Sequence, residues 1–186
     1  MPIQTPICDF GQKAHDFKLK STDNKIISLN DVKGENGTLI MFICNHCPYV
    51  KAVTKDIVED SKKLNDFGIN TVAICANDAE NYPEDSFENM ILFAKKHQFS
   101  FPYLVDETQE IAKTYDAVCT PDFFGYNKNL ELQYRGRLRE LKNLVPVREG
   151  ESDLFKAMKQ IAETGKGPES QTPSAGCGIK SVSYTH

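Results

Sequence analysis

No stretch of the 186 residues approaches the roughly 18 to 20 uninterrupted apolar positions a membrane-crossing helix needs. The longest apolar run, Leu39 to Cys44, is strand-sized. A basic stripe is missing too. The net charge is −4, with Lys and Asp/Glu interleaved along the chain, which argues against nucleic acid and anionic membrane as partners. Met1-Pro2-Ile3-Gln4 shows no charged segment leading into an apolar one, the pattern of a secretory leader, so a cytoplasmic location is expected. Cysteine is too sparse for a disulfide scaffold: six in a chain of this size predict unpaired or catalytic thiols in a reducing compartment.

What is present suits one globular unit with 40% hydrophobic and 26% charged residues. Thr38 to Ile43, opened by Gly37, and Ile69 to Cys75, opened by Gly68, are apolar β-branched runs that predict buried strands. Between them Val50, Val53, Ile57, Val58 and Leu64 share one helical face, giving a βαβ unit with a parallel pair. Phe87, Met90, Ile91 and Ala94 predict a further helix, and Phe101 to Val105 a short strand. Asp106 with Gln109 resembles a capping box for a helix through Tyr115. Phe123 to Tyr126 and Leu130 to Arg137 predict a hairpin, with Arg135 and Arg137 as strand-surface charge. Ser152 caps a last helix that Gly165 ends. Beyond it a Gly-, Pro- and Ser-rich segment predicts an extended or mobile tail, on which Cys177 floats or reaches back.

Cys44-Asn45-His46-Cys47-Pro48 falls where the first buried strand hands over to the first long helix. There a thiol meets unpaired N–H groups and the positive end of the helix dipole, which favour thiolate. Cysteines so placed fall from a free pKa of about 8.5 to roughly 3.5–7.5, which makes Cys47 the candidate nucleophile. Pro48 fits the first helical turn, where its missing N–H costs nothing. A lone Cys-x-x-Cys is read as a redox dithiol ahead of a zinc half-site, because Cys8, Cys75, Cys119 and Cys177 offer no second pair. His46 either steadies the thiolate and shuttles protons or faces water. Cys75, at the end of an apolar strand, is expected in the core.

GQKAHDFKLKSTDNKIISLNDVKG leading into TLIMFICNHCPYVKAV, followed by AVCTPDFFGYNKNLELQYRG and PSAGCGIK, resembles the thioredoxin superfamily. More narrowly it resembles the peroxiredoxin-like group of the alkyl hydroperoxide reductase and thiol-specific antioxidant branch. The resemblance implies an α/β thioredoxin-like fold over residues 1–165, with a central mixed sheet, flanking helices and an N-terminal β extension, and a tail over 166–186. It implies a reactive Cys47 faced by a cis Thr120-Pro121 bond, and it brings Cys119 close as a possible third thiol. Two positions depart from the family pattern. The second Cys of a thioredoxin-type motif would fall at Val50, while Cys44 stands where peroxiredoxins carry a Thr. The peroxiredoxin Arg has no clear counterpart.

The expectation is therefore a thiol oxidoreductase in which Cys47 attacks a disulfide or a hydroperoxide and Cys44 closes a disulfide. The substrate is a disulfide-containing protein or a hydroperoxide, and a thioredoxin-type dithiol returns the electrons. No cofactor and no metal are expected. A peroxidase resolved by Cys44, Cys119 or Cys177 stands as one alternative. The other is a metal-binding or delivery module built on Cys44 and Cys47 with His46 or Cys119.

Overall fold

Every residue from Gly37 to Phe42 is buried, which is why that run shows no polar alternation: both of its faces are covered. The computed structural model describes residues 2–180. In chain order these form β1 (Ile3–Gln4), β2 (Lys18–Ser21), β3 (Ile26–Ser28), α1 (Leu29–Val32), β4 (Gly37–Phe42) and α2 (Pro48–Lys51). Next come α3 (Thr54–Asn65), β5 (Ile69–Cys75), α4 (Phe87–Lys96), β6 (Tyr103–Val105) and α5 (Glu110–Tyr115). Then follow β7 (Cys119–Thr120), β8 (Asp122–Asn127), β9 (Leu132–Tyr134), β10 (Leu141–Lys142), β11 (Val145–Pro146), α6 (Asp153–Thr164) and β12 (Ala175–Gly178).

The central sheet has seven strands in the order β3-β2-β6-β5-β4-β8-β9. β4, β5 and β6 run parallel, as the βαβ reading requires, and the outer pairings are antiparallel. The period of two along β4 assigns its side chains to two cores. Leu39 and Met41, with Ile43 just beyond, meet Ile57 and Leu64 of α3, Met90 of α4 and Met158 and Ile161 of α6. Ile40 and Phe42 face Leu29 and Val32 of α1 and Ala112 and Tyr115 of α5. At about 1.5–3 kcal/mol for each large side chain buried, this two-sided packing fixes the end of β4, and with it Cys44.

Four local expectations are corrected. The long helix is broken: the Val53 N–H bonds the Val50 carbonyl in a tight turn, and the Thr54 hydroxyl takes the same carbonyl at 2.7 Å. The side chain there substitutes for a helical hydrogen bond, so α2 stands alone as a four-residue turn. Asp106 makes no capping box with Gln109, which is itself the left-handed N-cap of α5, and instead accepts the Ala112 N–H at 2.8 Å.

Arg135 is buried rather than on the strand surface. Its guanidinium grips Asp122 at 2.8 and 3.2 Å and lies over the Phe124 ring. Coverage explains this burial, because Gln171, from the segment after Gly165, bonds the Arg135 N–H and the Gln133 carbonyl.

That same segment is the fourth correction. It is docked: β12 inserts between β1 and β7 in a second, three-stranded sheet, so Cys177 does not float. Residues 181–186 of the expected tail lie outside the described residues.

Candidate active site

The Cys44-to-Cys47 segment leaves the end of β4 and is held by Asn45. The Asn45 backbone N–H donates to Asp85 Oδ1 at 2.7 Å and its side-chain amide to the Glu84 carbonyl at 3.0 Å. Its Oδ1 accepts the Tyr103 hydroxyl at 2.8 Å. All three partners are distant in sequence, so the turn carrying both cysteines is pinned by the body of the fold. Pro48 occupies the first position of α2 and Cys47 is its N-cap, as expected, with the Lys51 N–H closing onto the Cys47 carbonyl at 2.9 Å.

Cys47 is fully buried. The roof is β12. Its Cys177 pairs in register with Thr120, the residue before the cis Thr120-Pro121 bond, and the Thr120 carbonyl lies 3.4 Å from the Cys47 sulfur. The Cys44 sulfur lies 3.5 Å from the Thr120 hydroxyl. Four expected residues, Cys44, Cys47, Thr120 and Pro121, are thus brought together around one sulfur.

The electrostatics of that sulfur follow from its donors. The Cys47 thiol is lowered to about 4, first by the hydrogen bond from Cys44 and then by those from Cys177, Thr120 and the Val50 N–H, against a desolvation that raises it. A four-residue helix supplies little macrodipole, so neighbouring thiols replace the dipole as the main cause. Cys44 is driven the opposite way, well above an ordinary thiol, by its bond to Cys47, by burial and by the charge of Asp85. In its neutral form Cys47 donates to the Thr120 carbonyl at 3.4 Å; ionised, it collects S–H donors instead. Burial pushes Cys119 up to about 12, and its thiol donates to the Pro121 carbonyl, so it stays a neutral neighbour. Cys75 is buried at the end of β5 and likewise pushed up to about 12.

Asp85 is the residue sequence reasoning missed. Its carboxylate is wholly buried and accepts from the Asn45 N–H and from the Asn77 amide at 2.8 Å. His46 Nδ1 lies 2.7 Å from Asp85 Oδ2, outside hydrogen-bonding geometry, and the ring stacks on Tyr82. Asp85 belongs to the short turn before α4, on no periodic face, so only the fold reveals it.

Cys44, His46 and Asp85 offer three ligand atoms within 4.8 Å of one another. This set differs from the one anticipated, in that Asp85 takes the place of Cys47 and Cys119. Asp85 already accepts from two donors, the Asn45 N–H on Oδ1 and the Asn77 amide on Oδ2, which a metal would have to share or displace. Beside the roof a cleft of about 400 Å³ opens, lined by Tyr49, Pro121, Phe123, Ser174 and Ala175.

The fold is thioredoxin-like, and structural likeness bears that out. The thioredoxin domain of a thiol-disulfide oxidoreductase from Bacteroides vulgatus superposes with a TM-score of 0.58 at 15% identity, covering 72% of this chain and 89% of that one. The chain belongs to the AhpC/TSA family, whose model matches residues 10–140.

Over nearly the whole length it is similar to an uncharacterised conserved protein of Geobacillus kaustophilus, with a TM-score of 0.92 and 42% identity, covering 97% and 96% of the two chains. Thiol-disulfide oxidoreductase ResA of Bacillus thuringiensis subsp. konkukian is 25% identical over 65% of this chain, and the chain spans 65% of the length of that relative. Peroxiredoxin Bcp of Bacillus subtilis is 20% identical over 83% of this chain and 98% of its own.

Proposed function

We propose that this chain is a thiol-dependent oxidoreductase in which Cys47 is the nucleophile, attacking the sulfur of a disulfide. The carrying observation is the place of the Cys47 sulfur at the β4–α2 junction, 3.4 Å from the Thr120 carbonyl beside the cis-proline, where neighbouring donors lower its thiol. Cys44 serves as the donor that holds it. Thr120 and Pro121 shape the wall opposite, Pro48 fixes the helix start, and His46 with Asp85 braces the turn. A dithiol reductant of thioredoxin type returns the electrons, in a reducing compartment such as the cytoplasm. Among the described residues no helix is long and apolar enough to cross a membrane.

Loss of free thiols on incubation with cystamine, a small disulfide, tests the reading. Cys47→Ser abolishes the loss, and a wild-type Cys47 that stays free removes the reading.

Peroxide reduction is the second reading, favoured by Cys44 standing where peroxiredoxins place a hydroxyl donor and making the same kind of bond to the nucleophile. Stopped-flow oxidation by hydrogen peroxide separates the two. A rate no faster than that of free cysteine removes peroxide as the substrate.

A further inference from the structure

The cis-Pro loop presents the backbone of β7 to an antiparallel partner, the arrangement through which a protein receives an extended segment by strand addition. Here the partner is the chain's own β12. Cys177 stands opposite Thr120 and Gly178 opposite Cys119. The flanking glycines make the approach possible: a Cβ on Gly176 would lie 1.9 Å from the Thr120 carbonyl oxygen, and one on Gly178 would lie 2.7 Å from Ile3 Cδ1. At Gly176 the neighbour is backbone, so no other residue fits there without the strand lifting, whereas at Gly178 the tip of the Ile3 side chain would have to turn aside. Ser174 Oγ fastens one end to the Pro121 carbonyl at 2.8 Å. At the other end the Asp78 N–H donates to the Lys180 carbonyl at 2.8 Å, and the Lys180 N–H to Asn77 Oδ1 at 2.9 Å. The Ala-Gly-Cys-Gly strand is thus a built element that delivers one thiol to the nucleophile.

Two thiols touch Cys47, and access distinguishes them. Cys44 is 1% exposed and Cys47 0%, whereas Cys177 is only partly buried, so with β12 seated Cys177 is the sulfur of the three that an external dithiol reaches; Cys47 meets its own substrate when β12 lifts. We propose that Cys177, and not Cys44, is the resolving thiol, and that the Cys47–Cys177 disulfide is the form an external dithiol reduces. The proposal rests on Cys47 being the redox nucleophile.

The steps balance as follows. The Cys47 thiolate attacks RS–SR, giving Cys47–S–SR and RS⁻. Cys177 attacks the Cys47 sulfur, its proton leaves with the second RS⁻ as RSH, and Cys47–Cys177 closes, so two protein thiols are oxidised while one disulfide is reduced. With a hydroperoxide, Cys47 becomes the sulfenic acid and ROH leaves; Cys177 then closes the same bond with loss of water. In the reset, one sulfur of an external dithiol attacks the accessible Cys177 sulfur and releases Cys47 as a thiolate. The second dithiol sulfur then attacks the mixed disulfide and frees Cys177 as a thiol. Cys47 suits this direction, since a sulfur that ionises easily is the better leaving group.

Tryptic mapping of the full chain reads the assignment directly. Cys44 and Cys47 share the peptide 34–51, and Cys177 lies on 167–180. After treatment with one equivalent of cystamine or hydrogen peroxide, blocking of free thiols and digestion, the expected product joins 34–51 to 167–180. The link persists in Cys44→Ser and is absent from Cys47→Ser. In Cys177→Ser the cysteamine adduct on Cys47 persists at least about tenfold longer than in wild type, because a tethered thiol acts at high effective concentration.

A bond closed within 34–51 in wild type, or an adduct lost equally fast from Cys177→Ser, overturns the assignment while leaving Cys47 as nucleophile. A Cys47 unmodified by either oxidant overturns the assignment and the proposed function together.

Discussion

Cys44 and Cys47 meet on one residue, the Cys44 sulfur 3.5 Å from the Thr120 hydroxyl and the Cys47 sulfur 3.4 Å from the Thr120 carbonyl, and the coupling between the two thiols moves them in opposite directions. Cys44 is held well above an ordinary thiol, so Cys47 carries the charge.

The titration has a definite sign. Folding lowers the Cys47 thiol from 9.0 to about 4, so lowering the pH from about 8 to about 6 leaves the anion intact and its protonation begins only in acid. The ultraviolet absorbance of thiolate, taken as the difference between wild type and Cys47→Ser, is expected to be flat across neutrality. A midpoint near that of a free thiol removes the electrostatic argument.

Cys44→Ala removes the leading donor and Cys44→Ser retains a hydroxyl in its place. A hydrogen bond to a charged group is worth roughly 1.5–3 kcal/mol, so the alanine variant raises the Cys47 midpoint by roughly one to two pH units and the serine variant by much less. Equal titration of wild type and Cys44→Ala shows that the donor role belongs elsewhere.

Gly176→Ala sets a methyl group against the Thr120 carbonyl, and the nearest atoms, all backbone of Thr120 and Pro121, leave no flexible side chain to yield. β12 is expected to lift from β7 while the seven-stranded sheet stays folded. Labelling of Cys47 by a bulky maleimide should rise by about tenfold or more, as a locally opened segment exposes what it covered. Unchanged labelling with an unchanged melting temperature contradicts this account of the roof.

Arg135→Leu leaves the Asp122 carboxylate buried without its bidentate partner. Breaking such a pair from one side costs about 3–5 kcal/mol, a loss visible in urea unfolding. The double variant Arg135→Leu with Asp122→Asn is expected to recover part of that loss, because no uncompensated charge then remains.

The sheet was legible because β4 and β5 are unbroken apolar runs, and the hairpin of β8 and β9 because its turn residues stand between two such runs. Ser152 and Gly165 mark the ends of α6 through local chemistry alone, and both act as their residue types suggest. What stayed hidden depends on contacts between remote segments. Arg135 looks like surface charge until Gln171 covers it. Asp85 looks like one more acid near a helix start until the Asn45 N–H finds it. The Gly-Cys-Gly run has the composition of a mobile tail, yet those same small residues allow it to lie against a carbonyl that any larger side chain would strike. Composition reports what a backbone is free to do; it does not report which neighbour uses that freedom.

Because β12 follows every other element of the site along the chain, biosynthesis finishes the pocket last. A ribosome that has delivered α6 but not yet Cys177 presents a nascent domain whose nucleophile still lacks one of its donors and the strand that packs beside it. Premature termination in that interval would release a species more open to stray oxidants than the finished molecule.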